Sequence, residues 1–190
     1  MRHECDYSDV LLLQISAALE YSVASVPSLI WETEAGGNLY LGGYKAAVNL
    51  RWLAASNTRL IVNTARGLEA VLGPRYRRQL EARAAACPEV AVLSLPLDDD
   101  LVQRLDPARL AEVHGRVEAA LAAGSSVLVH CAQGRSRSTA VAAASLCRLT
   151  GTRVEEVLAI IQSRRSMADP NINFRAQLTQ LQADGYFSSV

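Results

Sequence analysis

Residues 127–140 read VLVHCAQGRSRSTA, an order that suits an anion-binding turn with a nucleophile at its base. The apolar run that ends at His130 predicts a buried strand, and the alanine-rich segment from Ser138 predicts a helix. The backbone N–H groups of the turn between them would converge at a helix N-terminus, which favours a phosphate group. Gly134 allows the positive φ that such a tight turn requires. The segment therefore predicts a phosphate-binding loop with Cys131 at its base.

Three side chains of this segment have the chemistry to cleave a phosphate monoester. Cys131 would attack as a thiolate, but an ordinary thiol, with a pKa of about 8.5, is only slightly ionised at neutral pH. Ionising such a thiol almost fully takes about 4 kcal/mol, whereas a helix dipole supplies about 0.3–1 kcal/mol. We therefore expect the converging amides, the Arg137 guanidinium and the Ser138 hydroxyl to supply the rest. Arg137 also offers a planar pair of donors to two phosphate oxygens.

The reaction also needs an acid that protonates the departing oxygen. One acidic cluster follows a predicted strand, since the stretch VAVLSLPLDDD ends in Asp98, Asp99 and Asp100. Strands that alternate with helices predict a parallel sheet whose ligand sites lie at the carboxyl ends of the strands. Both Cys131 and the aspartate cluster follow such ends, so we expect them to share one site. The residues alone leave open which aspartate is the acid.

Five residues match the pattern HCxxGxxRS: His130, Cys131, Gly134, Arg137 and Ser138. On this pattern the chain resembles the cysteine-dependent protein tyrosine phosphatase superfamily, in particular its dual-specificity (VH1-related) branch. The resemblance implies that Asp99 is the general acid, because that branch places its acid at the same interval, 32 residues before the cysteine. We expect His130 to orient the loop and the sulfur through hydrogen bonds rather than to transfer protons.

The rest of the predicted loop would surround the phosphate together with the cysteine and Arg137; these residues are Ala132, Gln133, Gly134, Arg135 and Ser136. Arg135 adds a second cation, which does not by itself decide the substrate. Asn171 resembles an asparagine that braces the loop in relatives, and a helix start explains it equally well. The cluster at residues 75–78 and the pair Arg164 and Arg165 are predicted to lie on solvated helix faces.

The order of elements predicts an α/β fold, a single domain with a mostly parallel central sheet of four to five strands flanked by helices on both faces. Strands are expected near residues 39–41, 60–63, 90–95 and 127–130. Asp106 followed by Pro107 predicts the start of one helix. Thr152 and Glu155 predict a capping box at the start of another.

The stretches that resemble the family span residues 38–185 of a chain of 190 residues, the size of one domain. The catalytic domain is predicted to occupy residues 29–190. Residues 1–28 match nothing specific in the family, and they are predicted to form an N-terminal extension with a helix near residues 9–21.

Bulk properties exclude several classes of protein. The formal net charge is zero, so neither nucleic acid nor a polybasic membrane contact is expected. No stretch approaches the roughly 20 apolar residues of a membrane span, and the acidic amino terminus does not suit a secretory signal. The cysteines lack zinc-site spacing, which predicts no structural metal and favours a reducing compartment, the cytoplasm. A protective disulfide between Cys87 and Cys131 stays open, because the sequence does not set their distance.

The resemblance implies a hydrolase without metal or cofactor that removes phosphate from phosphotyrosine and phosphoserine or phosphothreonine through a phosphocysteine intermediate. Phosphorylated proteins are then its expected partners, and the sequence gives no oligomeric state. Three alternatives stay open. They are the same chemistry on a non-protein substrate such as a phosphoinositide, a module that binds phosphorylated partners without hydrolysis, and a sulfurtransferase that cradles an anion around its cysteine.

Overall fold

A five-stranded sheet forms the centre of the computed structural model, which describes residues 23–188. Its strands are β1 (Ser28–Glu32), β2 (Asn38–Gly42), β3 (Thr58–Ala65), β4 (Ala91–Leu97) and β5 (Ser126–His130). They lie in the order β1-β2-β5-β3-β4, and all neighbouring pairs are parallel except β1 with β2. β5 therefore lies in the middle of the sheet, and all of its residues are buried.

Six α-helices and a short 3₁₀ helix at Ala46–Val48 accompany the sheet within the described range. They are α1 (Leu50–Ala55), α2 (Leu68–Ala86), α3 (Pro107–Ala122), α4 (Arg137–Thr150), α5 (Val154–Arg164) and α6 (Ile172–Ala183). Side chains alternate along the strands, so the inner strands β2, β3 and β5 contribute to apolar layers on both faces of the sheet. Val127 and Val129 join the layer built with α3 to α6, whereas Leu128 and Ile61 face the 3₁₀ helix and α1. The predicted α/β architecture, with helices on both faces, is confirmed.

The four predicted strands are present, and β1 is the one strand that the pattern does not predict. It is a short edge strand that pairs only with β2, and its register shifts between Leu29 and Trp31. Only Ile30 of its five residues is buried, so its sequence carries little of the periodicity that predicts a strand. The helix predicted near residues 9–21 lies outside the described residues.

The two predicted helix starts have different outcomes. Asp106 caps α3 as expected, because its side chain accepts a hydrogen bond from Ala108 N at 2.9 Å. The capping box of Thr152 and Glu155 is wrong, since α5 begins at Val154 after Arg153, which makes no capping hydrogen bond through its side chain. Val154 N instead donates to Gln182 Oε1 at 2.7 Å. A side chain from α6 thus satisfies the first amide of α5, in place of a local cap.

Candidate active site

The loop of residues 131–136 joins the centre of the sheet to α4, as the sequence predicts. β5 ends at His130, β4 ends at Leu97, and both ends lie at the same edge because β3 is parallel to both strands. A cleft of about 570 Å³ opens at this edge. The cysteine loop, the aspartate loop, the start of α2 and the turn before α6 line it, with Arg66, Leu68, Val71, Asp99, Cys131, Ala132, Gln133, Arg135, Ser136, Arg137, Asp169 and Asn171.

The sulfur of Cys131 is buried at the base of this cleft and accepts two hydrogen bonds. Gly134 N and Ser138 Oγ each lie 3.2 Å from it. Ser138 belongs to the first turn of α4, so the positive end of that helix dipole also points toward the loop. Both contacts favour a negatively charged sulfur over a neutral thiol, because each donates a hydrogen to it.

Gly134 has a positive φ of 74°, and the residue has no room for a side chain. A Cβ there would lie 2.5 Å from the carbonyl carbon and oxygen of Gly42, at the end of β2. The close approach of two backbone segments, as well as the positive φ, therefore requires glycine at this position.

Arg137 reaches back into the cleft from the first residue of α4. Its Nε is buried and forms no hydrogen bond within residues 23–188, while Asp99 Oδ2 lies at ion-pair distance, 3.5 Å. Nη1 lies 3.5 Å from the carbonyl oxygen of Leu97. A partly buried guanidinium with unused donors at the cleft suits the binding of an anion with several oxygens.

Asp99 is the member of the aspartate cluster that lines the cleft. Its Oδ1 accepts hydrogen bonds from Ser136 Oγ at 2.6 Å and from Asn171 Nδ2 at 3.0 Å. Asp98 instead forms an ion pair with Arg66 at 2.9 Å. The side chain of Asp100 folds back onto its own loop, where it accepts from the amides of residues 102 and 103. Tertiary contacts therefore place the three aspartates in different surroundings, and Asp99, which the resemblance implies as the acid, is the one at the cleft.

Asn171 connects the aspartate loop to the start of α6. Its Oδ1 accepts from Phe174 N at 2.9 Å, which caps the helix, and its Nδ2 donates to Asp99 and to the carbonyl oxygen of Asp100. Its own amide donates to Ser136 Oγ at 3.1 Å. The two roles considered for this residue, a helix start and a brace for the loop, thus coexist.

His130 is buried directly before the cysteine. Its Nδ1 lies 3.2 Å from the carbonyl oxygen of Cys131, which can only accept, so this nitrogen carries the proton. Burial lowers the pKa of His130 from 6.5 to about 4. The imidazole is therefore neutral at neutral pH and holds the loop through a hydrogen bond.

Acid is expected to destabilise the fold through this histidine. The pKa of His130 in the folded chain, about 4, lies below its ordinary value of 6.5, so the unfolded chain binds the proton more readily. The contribution of His130 to the free energy of unfolding is present in full above pH 6.5 and declines by about 3 kcal/mol as the pH falls toward 4. The free energy of unfolding, measured with urea at each pH across this range, should show the decline. His130→Asn should make the fall of this free energy with decreasing pH less steep. The control His114→Asn should retain the His130 contribution, and equal slopes in His130→Asn and the parent would contradict the prediction.

The prediction that both arginines of the 164–165 pair are solvated is wrong for Arg165. Arg164 is exposed, but Arg165 is buried and its guanidinium donates into the cysteine loop. The sequence contains a signal for this position, because the buried stripe Leu158 and Ile161 continues at helical spacing to residue 165. The cluster at residues 75–78 agrees with the prediction, since its arginines are exposed.

The other described cysteines lie in separate parts of the core. Cys87 packs in the layer with the 3₁₀ helix, and Cys147 packs in the layer between the sheet and α3 to α6. Burial raises the pKa of Cys147 to about 12. Cys87, Cys131 and Cys147 are all free thiols.

No cluster of three or more histidine, cysteine, aspartate or glutamate side chains suited to a metal occurs between residues 23 and 188. None of the helices in that range has the length and apolar character needed to cross a bilayer.

Fold and site together define a class: an α/β domain in which a cysteine directly after the central strand of a mostly parallel sheet lies at the base of a cleft suited to a phosphate group. Comparison with known proteins narrows the class. The family model described as "Dual specificity phosphatase, catalytic domain" matches residues 39–184. Human dual specificity phosphatase 28 is 36% identical over 141 residues, which cover 74% of this chain and 72% of that protein. Dual specificity protein phosphatase 1 of Arabidopsis thaliana is 30% identical over 184 residues, covering 94% and 82%.

Solved structures agree with these sequence matches. The crystal structure of human dual specificity phosphatase 28 superposes with a TM-score of 0.67 at 31% identity, covering 83% of this chain and 93% of that one. A mouse putative dual specificity phosphatase, complexed with zinc tungstate, gives a TM-score of 0.67 at 31% identity, covering 87% and 94%. The chain belongs to the dual specificity phosphatase family, within the cysteine-dependent protein tyrosine phosphatase superfamily, and the resemblance predicted from its sequence is confirmed.

Proposed function

We propose that this chain hydrolyses phosphate monoesters of tyrosine, serine and threonine in proteins through a phosphocysteine intermediate. The observation that carries the proposal is the environment of Cys131, whose sulfur accepts hydrogen bonds from an amide and a hydroxyl at the base of a cleft that Arg137 and Asp99 also line. A nucleophile, a clamp for phosphate oxygens and a proton donor thus share one cleft.

In the first step the thiolate of Cys131 attacks phosphorus. The S–P bond forms, the P–O bond to the substrate breaks, and Asp99 gives its proton to the departing oxygen. Arg137 and the amides of the loop hold the other phosphate oxygens, whose charge is spread over all three in the transition state.

In the second step a water molecule attacks phosphorus. Asp99, now ionised, takes a proton from that water, and the S–P bond breaks to release phosphate and the thiolate. The Ser138 hydroxyl, 3.2 Å from the sulfur, stabilises the charge that returns to Cys131. A free thiolate is needed in every cycle, so we infer that the enzyme works in a reducing compartment such as the cytoplasm.

The rim of the cleft supports a protein substrate over a polyphosphorylated lipid. Arg66 is paired with Asp98 at 2.9 Å, and Arg135 is paired with Asp169 at 3.5 Å, so carboxylates offset both cations at the rim. A substrate with several phosphates would have to compete with these ion pairs.

Exposed apolar side chains that are close in the chain to two cleft residues favour the same conclusion. Leu101, two residues after Asp99, is 66% exposed, and Ile172, which follows Asn171, is 75% exposed. Exposed apolar side chains beside a binding site gain free energy when a partner covers them. An apolar residue next to the phosphorylated residue of a substrate protein would do so.

A substrate panel tests this proposal. Phosphate release from apolar-flanked phosphopeptides should exceed release from a water-soluble phosphoinositide, and the reverse order would move the substrate to lipid. Leu101→Ser and Ile172→Ser should each cost about 1 kcal/mol, close to a fivefold loss of kcat/KM for the peptides, with p-nitrophenyl phosphate unaffected. Val92→Ser, at an apolar position 48% exposed on β4, should change neither activity. Phosphopeptide binding without hydrolysis of any substrate would establish a binding module instead.

A further inference from the structure

We propose that Arg165 is a positioning residue, which orients the peptide groups of the cysteine loop and balances the charge of the Cys131 thiolate from outside the cleft. The inference rests on the proposed function only for its effect on turnover. Its structural part concerns the loop itself. Arg165 is not among the residues that line the cleft, so any effect on substrate must pass through the loop.

The guanidinium of Arg165 uses each of its three nitrogens as a donor. Nε donates to the carbonyl oxygen of Gly134 at 2.7 Å, Nη2 to that of Gln133 at 2.7 Å, and Nη1 to Ser28 Oγ at 3.3 Å. The side chain is held between the loop and β1, and the residue is 8% exposed. Two successive carbonyl groups of the loop are therefore fixed by one planar, rigid group.

These two hydrogen bonds determine where the loop amides point. The carbonyl of Gln133 and the N–H of Gly134 belong to one planar trans peptide group and point in opposite directions. Drawing that carbonyl toward Arg165 therefore turns the Gly134 N–H toward the sulfur, which accepts from it at 3.2 Å. The same argument applies to the next peptide group, in which the Gly134 carbonyl is held and the N–H of Arg135 must point away from Arg165.

The charge of Arg165 has no carboxylate partner in the part of the chain that the structure describes. No aspartate or glutamate within residues 23–188 forms an ion pair with it, although a buried cation without an opposite charge is costly. Burial lowers the pKa of Arg165, and the charge on Cys131 acts in the opposite direction and raises it. An arginine keeps its proton in proteins, so the thiolate is the counter-charge available to it.

Arg165 also limits which residue type fits at position 134 of the loop. A Cβ on Gly134 would approach Nη2 of Arg165 to 2.8 Å, in addition to its contact with Gly42. The loop thus lies against β2 on one side and against the guanidinium on another, and its shape depends on a residue 31 positions away in the chain.

The test compares Arg165→Met and Arg165→Lys with the matched control Arg164→Met, which removes the adjacent exposed arginine. Alkylation by iodoacetamide is followed against pH, with the peptide that carries Cys131 quantified by mass spectrometry. Arg165→Met should move the midpoint of its pH profile upward by about one unit or more, since a nearby opposite charge shifts such a midpoint by about 1–3 units. Arg165→Lys keeps the positive charge, so its alkylation midpoint should stay close to that of the parent. Its kcat toward p-nitrophenyl phosphate should fall by about tenfold or more, because one ammonium cannot fix two carbonyl groups. Arg164→Met should match the parent in both measurements.

A folded Arg165→Met variant with the parental alkylation midpoint would overturn the proposal. Should that variant fail to fold, as judged by circular dichroism, Arg165→Lys decides, and full kcat in Arg165→Lys would overturn the positioning role. Alkylation requires no turnover, so a protein without phosphatase activity would refute the proposed function and still report on Arg165.

Discussion

Cys131→Ser is expected to lose on the order of 10⁴-fold or more of kcat/KM toward p-nitrophenyl phosphate. A serine hydroxyl remains protonated at neutral pH, so the variant lacks the anionic nucleophile that forms the S–P bond. The amides of the loop and Arg137 stay in place, and inorganic phosphate should therefore still bind. Phosphate release gives the rate, and calorimetric titration with inorganic phosphate gives the binding.

The matched control for this result is Cys87→Ser. Cys87 is also a buried free thiol, but it packs with the 3₁₀ helix and α1 rather than against the cysteine loop. This variant should keep turnover close to that of the parent. Substantial turnover in Cys131→Ser would remove Cys131 as the nucleophile, and a loss of phosphate binding would mean that the sulfur also shapes the loop.

Asp99→Ala is expected to separate substrates by their leaving groups. An alkoxide or the tyrosine phenolate needs a proton as it departs, whereas p-nitrophenolate is stable without one. Removal of a general acid costs about 10²–10⁴-fold for poor leaving groups, and the loss should shrink as the leaving group improves. Steady-state kcat/KM, which depends only on the steps up to departure of the leaving group, gives this dependence when it is measured on aryl phosphates of graded acidity, with a phosphothreonine peptide at the poor end.

Asp98→Ala is the control for the acid. Asp98 is adjacent in the chain, but its carboxylate is paired with Arg66 and does not line the cleft. The exposed ion pair contributes little to stability, so this variant should fold and retain most of its activity. If Asp99→Ala slowed every substrate equally, or Asp98→Ala showed the steep dependence on the leaving group, the acid would have to be reassigned.

Three neighbouring side chains hold the carboxylate of Asp99 in a position that suits both of its proposed roles, as acid and as base. Ser136 and Asn171 hold Oδ1, while Oδ2 faces Arg137 at 3.5 Å. One oxygen is thus fixed by hydrogen bonds and the other is directed toward the phosphate clamp. Ser136 comes from the cysteine loop and Asn171 from the start of α6, so three segments distant in the chain meet at one carboxylate.

Contacts between residues that are close in the chain could be predicted from the sequence, whereas contacts between distant residues could not. The strand, the turn and the helix start around Cys131 were predictable, because Gly134, Arg137 and Ser138 act within seven residues of it and their spacing limits the geometry. The cap at Asp106 is local in the same way. The predicted box at Thr152 is wrong because α5 begins after Arg153, and Gln182 of α6, distant in the chain, accepts from the first amide of the helix.

By itself the sequence determined the α/β class, the tight loop between a central strand and a helix with Cys131 at its base, and the family to which the chain belongs. Short-range spacing and the period of the apolar residues are enough for those conclusions, since they restrict the backbone directly. The family resemblance implied Asp99, but only the tertiary structure showed that its carboxylate rather than those of its neighbours lines the cleft, and that Arg165 rather than Arg164 contacts the loop. Adjacent residues of one type differ only in the partners that packing brings to them, and those partners lie more than 30 residues away.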